Sequence, residues 1–182
     1  MHRLPHGHPA PAVQRAAAHG QDHDLPLLPP AHLLGRRRGV RGPAVSASAA
    51  SSLILFADGG SRGNPGPAGA GAVLYDAEGR EVAALCRYLG RATNNMAEYT
   101  ALNLGLAEAQ RLGAQELTIK MDSELVVRQL QGTYKVKAPG LRPLYAEACR
   151  RLQGFRRVSI MHVPREANRR ADELANQAMD RR

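Results

Sequence analysis

The stretch Leu53-Ile54-Leu55-Phe56-Ala57-Asp58-Gly59-Gly60-Ser61-Arg62-Gly63-Asn64-Pro65-Gly66-Pro67 decides how the chain is read. Five apolar residues run up to an acid, and glycine and proline then crowd the next nine positions. This is a short buried strand that ends at Asp58, followed by a loop from Gly59 to Pro67. Ala70 to Tyr75 and Glu81 to Tyr88 read as two more strands, joined by the turn Ala77-Glu78-Gly79-Arg80, so an antiparallel meander is expected.

Beyond the meander the pattern changes. Thr93 or Asn94 caps a long helix whose apolar positions Met96, Leu102, Leu104, Leu106 and Leu112 approximate a 3.6 period up to Gly113. Leu117 to Met121 is a fourth strand that stops at Asp122. Ser123 caps a helix carrying Leu125, Val126 and Leu130, which ends by Gly132. After the linker 134–140 comes a helix from Leu141 to Gln153, then a fifth strand from Val158 to Val163. Asn168 opens a last helix bearing Ala171, Leu174, Ala175 and Ala178. Three strands in succession, then strands separated by helices, make an α/β chain with a five-stranded mixed sheet and a parallel portion covered by helices. Ligands of such sheets bind at the carboxyl ends of the parallel strands, where Asp58 and Asp122 fall.

The chain has 182 residues and a net charge of +9, enough for one domain and a tail. Residues 1–51 hold six of the seven His, seven of the twelve Pro and none of the seven aromatics. Recurring Pro and Gly leave no room there for a periodic helix or strand, so a disordered basic tail is expected before a folded domain at 52–182. No apolar run nears the ~20 residues of a membrane span, and membrane association is not expected. Cys86 and Cys149 stand far apart with no CxxC, which fits a reducing compartment and a cytoplasmic location. The basic charge favours a polyanionic partner.

Four acids carry the chemistry. Asp58 and Asp122 end strands, while Glu98 and Asp172 sit in the first turns of two helices. Each alone reads as an ordinary cap or dipole acid. Together, at converging strand ends and helix starts, they would repel unless a cation sat among them, and an all-oxygen set suits Mg²⁺ or Mn²⁺.

The runs from Asp58 to Pro67, Thr93-Asn94-Asn95-Met96-Ala97-Glu98, Met121-Asp122-Ser123-Glu124 and Asn168-Arg169-Arg170-Ala171-Asp172-Glu173-Leu174-Ala175 resemble, in order, the four motifs of type 1 ribonuclease H. The resemblance spans residues 53 to 180. It implies a ribonuclease H-like fold and an endoribonuclease that hydrolyses the RNA strand of RNA/DNA hybrids, leaving 5′-phosphates. It also implies that Asp58, Glu98, Asp122 and Asp172 hold two Mg²⁺ ions, or Mn²⁺, with Asp58 bridging both. Gly60, Ser61, Arg62, Gly63, Asn64 and Asn95 match hybrid-contacting positions, and Thr93 and Asn94 match contacts to the DNA strand.

The long basic, tryptophan-bearing protrusion of some members is missing, which leaves Lys135 and Lys137 as the basic contacts there. This is the pattern of a compact subgroup, in which an arginine matches Arg165 as the group assisting chemistry. His162, the one histidine after the break, is expected inside the fifth strand, acting through stability. A monomer without an obligate protein partner is expected. Two other readings share some of these features: a DNA nuclease or strand-transfer enzyme of the same superfamily, and a non-catalytic nucleic-acid binding module. The Gly-Ser-Arg-Gly-Asn-Pro-Gly turn with Thr-Asn-Asn opposes the first. Retention of four acids, which oppose phosphate binding, opposes the second.

Overall fold

A computed structural model describes residues 52–181. The expected tail, 1–51, lies outside the described residues. Five strands, β1 (Ser52–Ser61), β2 (Gly66–Tyr75), β3 (Glu81–Ala92), β4 (Glu116–Met121) and β5 (Arg157–His162), form one sheet in the order β3-β2-β1-β4-β5. The first three pair antiparallel, and β4 and β5 add in parallel to β1. The expected mixed sheet is therefore present, with β1 central and flanked by one neighbour of each kind.

Four helices complete the domain: α1 (Asn94–Arg111), α2 (Glu124–Leu130), α3 (Arg142–Leu152) and α4 (Arg169–Asp180). Strand residues alternate between faces. Leu53, Leu55 and Ala57 pack toward α1, where Leu55 fills the space over Gly105, while α4 covers the opposite face of β1, β2 and β3. The core lies mainly between the sheet and α1, with α3 stacked on α1. Leu102 and Leu106 are wholly buried there, so truncating either to Ala is expected to cost about 2–5 kcal/mol. A buried polar contact crosses the same layer, the Tyr99 hydroxyl donating to Gln129 Oε1 at 2.8 Å.

Several boundaries differ from expectation: β2 begins at Gly66 and β3 runs on to Ala92, past the expected Ala70 and Tyr88. The loop expected from Gly59 to Pro67 is mostly strand: Gly59 pairs with Ala70, Gly60 with Gly69 and Ser61 with Ala68, so the turn shrinks to residues 62–65. Glycine there serves close packing. A Cβ on Gly59 would overlap the backbone of Ala97 in α1, and one on Gly71 would overlap the Ala171 carbonyl oxygen in α4. The missing side chains let both helices press against the central strands. The helix expected from Leu141 opens with a short 3₁₀ turn at Pro139–Leu141 before α3 proper, since Pro143 fits the first turn of a helix.

Candidate active site

Asp58 lies inside β1, three residues before its end and just past the last residue that pairs with β4, on the sheet face opposite α1, and Asp122 follows the end of the parallel strand β4 beside it. Helix α1 begins where it does because Thr93 Oγ1 accepts the Met96 N–H at 3.3 Å, as expected of a cap. One turn later the helix presents Glu98, which is only 8% exposed. Helix α4 brings Asp172 in its first turn. The four acids, from four elements, line one cleft of about 320 Å³, together with Gly60, Ser61, Arg62, Asn94 and Arg165. A separate, more apolar hollow of about 270 Å³, behind Asn168 and between Phe56, Tyr75 and Arg170, contains no acid.

Each acid is held differently. Asp58 Oδ1 accepts the Gly59 N–H at 2.9 Å. Glu98 Oε1 accepts from Asn94 Nδ2 at 2.9 Å, a contact between residues one helical turn apart. Its other oxygen, Oε2, is buried without a hydrogen-bond partner. Asp122 Oδ1 accepts from Asn168 Nδ2 at 2.7 Å, and Asp172 Oδ1 accepts from Arg165 Nη2 at 3.0 Å.

Burial pushes the Asp58 carboxyl up to about 7, and the negative charges of Asp122, Asp172 and Glu98 push the same way, against the Gly59 N–H. Burial also raises Glu98 to about 7, with the Ser123 hydroxyl and the Asn94 amide pulling down and Asp122 pulling up. Both shifts mark a cleft short of positive charge.

Asn168 has a role that its reading as a helix opener misses. It is 1% exposed and makes no capping bond to α4. Its Nδ2 instead donates to the Ala57 carbonyl at 3.0 Å as well as to Asp122. One amide thus ties the residue before Asp58, the carboxylate of Asp122 and the start of the helix that carries Asp172. Position just before a helix and four residues ahead of an acid was the available signal, and capping absorbed it.

The expected hybrid-contacting residues divide. Gly60, Ser61, Arg62 and Asn94 line the cleft, and Asn64 adjoins it, its Oδ1 accepting the Asn94 N–H at 3.2 Å. Gly63 has φ +94° in the turn that follows β1. Thr93 spends its hydroxyl on the cap, Arg62 pairs with Asp180 at 2.6 Å, and Asn95, Lys135 and Lys137 do not line the cleft. Lys135 and Lys137 lie on the segment between α2 and the 3₁₀ turn. His162 lies in β5 as expected, but as its last residue and exposed, with Nε2 3.2 Å from the Asp122 carbonyl oxygen. Its removal therefore touches that carbonyl more than any packing.

A family model described as reverse transcriptase-like matches residues 56–178. The bifunctional protein Rv2228c of Mycobacterium tuberculosis is 52% identical over 129 residues, which are 70% of this chain and 35% of that protein. The solved N-terminal RNase H domain of that protein superposes with a TM-score of 0.70 at 50% identity, over 71% of this chain and 94% of that one. RNase H1 of Halobacterium salinarum gives 0.70 at 45% identity, over 72% and 99%. The chain belongs to the ribonuclease H family. It spans about a third of the length of the mycobacterial relatives it matches. A further ribonuclease H, LC11-RNase H1, solved in complex with RNA/DNA hybrid, superposes at 0.68 with 44% identity, over 71% and 97%.

Ribonucleases H generally depend on a divalent metal, and the residues of this cleft fit one. The donors are carboxylate oxygens gathered on one cleft, and the charged forms of Asp58 and Glu98, disfavoured there chiefly by burial, are ones a bound cation would stabilise. Among the described residues no three acid, histidine or cysteine side chains stand close enough to cage an ion by themselves.

Proposed function

We propose that this ribonuclease H domain hydrolyses the RNA strand of RNA/DNA hybrids as an endonuclease in the cytoplasm, acting as a monomer. The observation that carries this reading is the convergence of Asp58, Glu98, Asp122 and Asp172 on one cleft, where the parallel pairing of β1 with β4 stops. The hybrid-bound LC11 relative, of which this chain covers 97%, supports the substrate class.

In this reading the four carboxylates would hold two divalent ions, Mg²⁺ or Mn²⁺. When bound, the ions supply positive charge against the phosphodiester and lower the pKa of the attacking water. The chain does the rest. Asp58 is held in the β1 ladder next to Ala57, whose carbonyl Asn168 binds, and Asp122, just past β4, is bound by the same amide, so both stay fixed as the substrate arrives. Gly60 and Ser61 bring strand backbone to the cleft wall, close to where a sugar 2′-hydroxyl would lie, and that hydroxyl distinguishes RNA from DNA. Asn64 and Asn94, tied to each other, extend that wall. Arg165 offers a fixed charge to the phosphate but no proton near neutrality. Both thiols are free, Cys86 exposed and Cys149 buried, as suits a reducing compartment.

Matched RNA/DNA hybrid, double-stranded RNA, duplex DNA and single strands, incubated with Mg²⁺ or Mn²⁺, test the substrate. RNA cut only in the hybrid is expected. Cleavage of duplex DNA would favour the DNA-nuclease reading, and binding without cleavage would favour the non-catalytic one.

A further inference from the structure

Among the described residues, the ion pairs of the cleft are lopsided. Asp58, Glu98 and Asp122 form none, and Asp172 forms one, with Arg165 Nη2 at 3.0 Å. Arg165 sits in the 3₁₀ turn Arg165–Ala167, between β5 and α4. It turns toward Asp172, seven residues on, and not toward the adjacent Glu166. Its charge also acts on Asp58 and Asp122. The two partners differ in exposure: the Arg165 side chain is 74% exposed and that of Asp172 30%. Such an arginine holds the carboxylate weakly and loses little on leaving, because a solvated pair contributes little net free energy.

We propose that Arg165 is the resident counter-cation of the metal-free cleft, holding Asp172 until a divalent ion displaces it. Resting on the metal-dependent reading above, the inference adds that metal and arginine compete for one carboxylate. Two consequences follow. Removing the arginine strengthens metal binding, whereas removing a ligand-orienting group weakens it. Once displaced, Arg165 is free for the phosphate of a bound hybrid, so one side chain serves the empty cleft and the loaded one in turn.

The test is Mn²⁺ alone, without nucleic acid, titrated calorimetrically into the full chain at pH 8, where protons no longer compete at Asp58 and Glu98. Arg165→Ala is expected to bind Mn²⁺ roughly two- to fivefold more tightly than wild type, the upper part of the range for losing one solvated competing charge. Arg165→Lys keeps a charge in reach and is expected to stay within about twofold of wild type, and thermal melts check that both variants fold. Arg157→Ala removes the same charge from the far end of β5, where Arg157 pairs with Glu116, and is expected to leave affinity unchanged.

Unchanged or weaker Mn²⁺ binding in Arg165→Ala, or an equal gain in Arg157→Ala, would overturn the proposal. The functional reading fails separately. Tighter binding in a protein that never cuts hybrid would leave the counter-cation role standing and remove the activity, while hybrid cleavage with no affinity change would do the reverse.

Discussion

Replacing Asp58 by Asn should stabilise the metal-free protein at neutral pH. The Asp58 carboxyl is raised from 3.8 to about 7 in the fold, chiefly by burial and then by the charges of Asp122, Asp172 and Glu98. Between those two values the folded state holds a proton that the unfolded chain has lost. The contribution of this group is therefore fully present below about pH 4 and is lost as pH rises toward 7. About three units at 1.36 kcal/mol each give ~4 kcal/mol, which we reduce to about 2 kcal/mol because solvent reaches the cleft and screens the charges. Asparagine carries no charge to lose and can still accept the Gly59 N–H. Urea melts in EDTA should show Asp58→Asn equal to wild type near pH 4 and about 2 kcal/mol more stable at pH 8, or roughly 5–10 °C in Tm. Added Mg²⁺ should narrow the gap by stabilising wild type alone. A variant less stable than wild type in EDTA at pH 8, or a gap that does not change between pH 4 and 8, would refute the reasoning.

Other consequences follow from the same geometry. Because Asp58 and Glu98 both sit near 7 in the metal-free cleft, Mn²⁺ must displace protons below that pH. Its affinity should climb as pH rises to about 7 and then level off, with proton release measurable by calorimetry in two buffers; a flat profile from pH 5.5 to 8 would contradict it. Asn168→Ala strips a bond from the Ala57 carbonyl and another from Asp122. It should cost about 1–3 kcal/mol in urea melts and lower kcat more than hybrid affinity. Gly59→Ala forces a Cβ into the Ala97 backbone and should cost about 3 kcal/mol or prevent folding. Gly60→Ala, whose nearest atom would be 3.7 Å away, should cost under ~1 kcal/mol; equal thermal shifts for the two would count against the close approach of α1.

Element identities were legible because their signals are local. The apolar run before Asp58, the turn at Ala77–Arg80, and Thr93 and Ser123 as caps each announce themselves within a few residues, and the structure has them in place. Asp122, Glu98 and Asp172 were legible as strand-end and helix-start residues, whereas Asp58, expected at a strand end, lies inside β1, and the four motifs joined them. What stayed hidden was long-range. Gly59 reads as a turn residue until α1 is seen resting on it, because the contact that demands glycine comes from Ala97, far along the chain. Asn168 reads as a cap because its partners, Ala57 and Asp122, lie 111 and 46 residues away. Arg165 and Asp172 are near in sequence, but their pairing depends on how the 3₁₀ turn aims the guanidinium, and no periodicity records that. Arg62, matched to a hybrid contact, is tied to Asp180 at the far end of α4 for the same reason.

Hybrid cleavage measured on both strands at once tests the central claim most directly. A duplex with differently labelled RNA and DNA strands is incubated at pH 8 with Mg²⁺ and wild type, Asp58→Asn or Asp122→Asn, with binding followed in parallel. Wild type should cut only the RNA strand, at internal positions, leaving 5′-phosphates, while both variants bind the hybrid with near wild-type affinity and leave it whole. An intact RNA strand with wild type, a cut DNA strand, or near wild-type turnover by either variant would contradict the assignment of the four-acid cleft as a ribonuclease H active site.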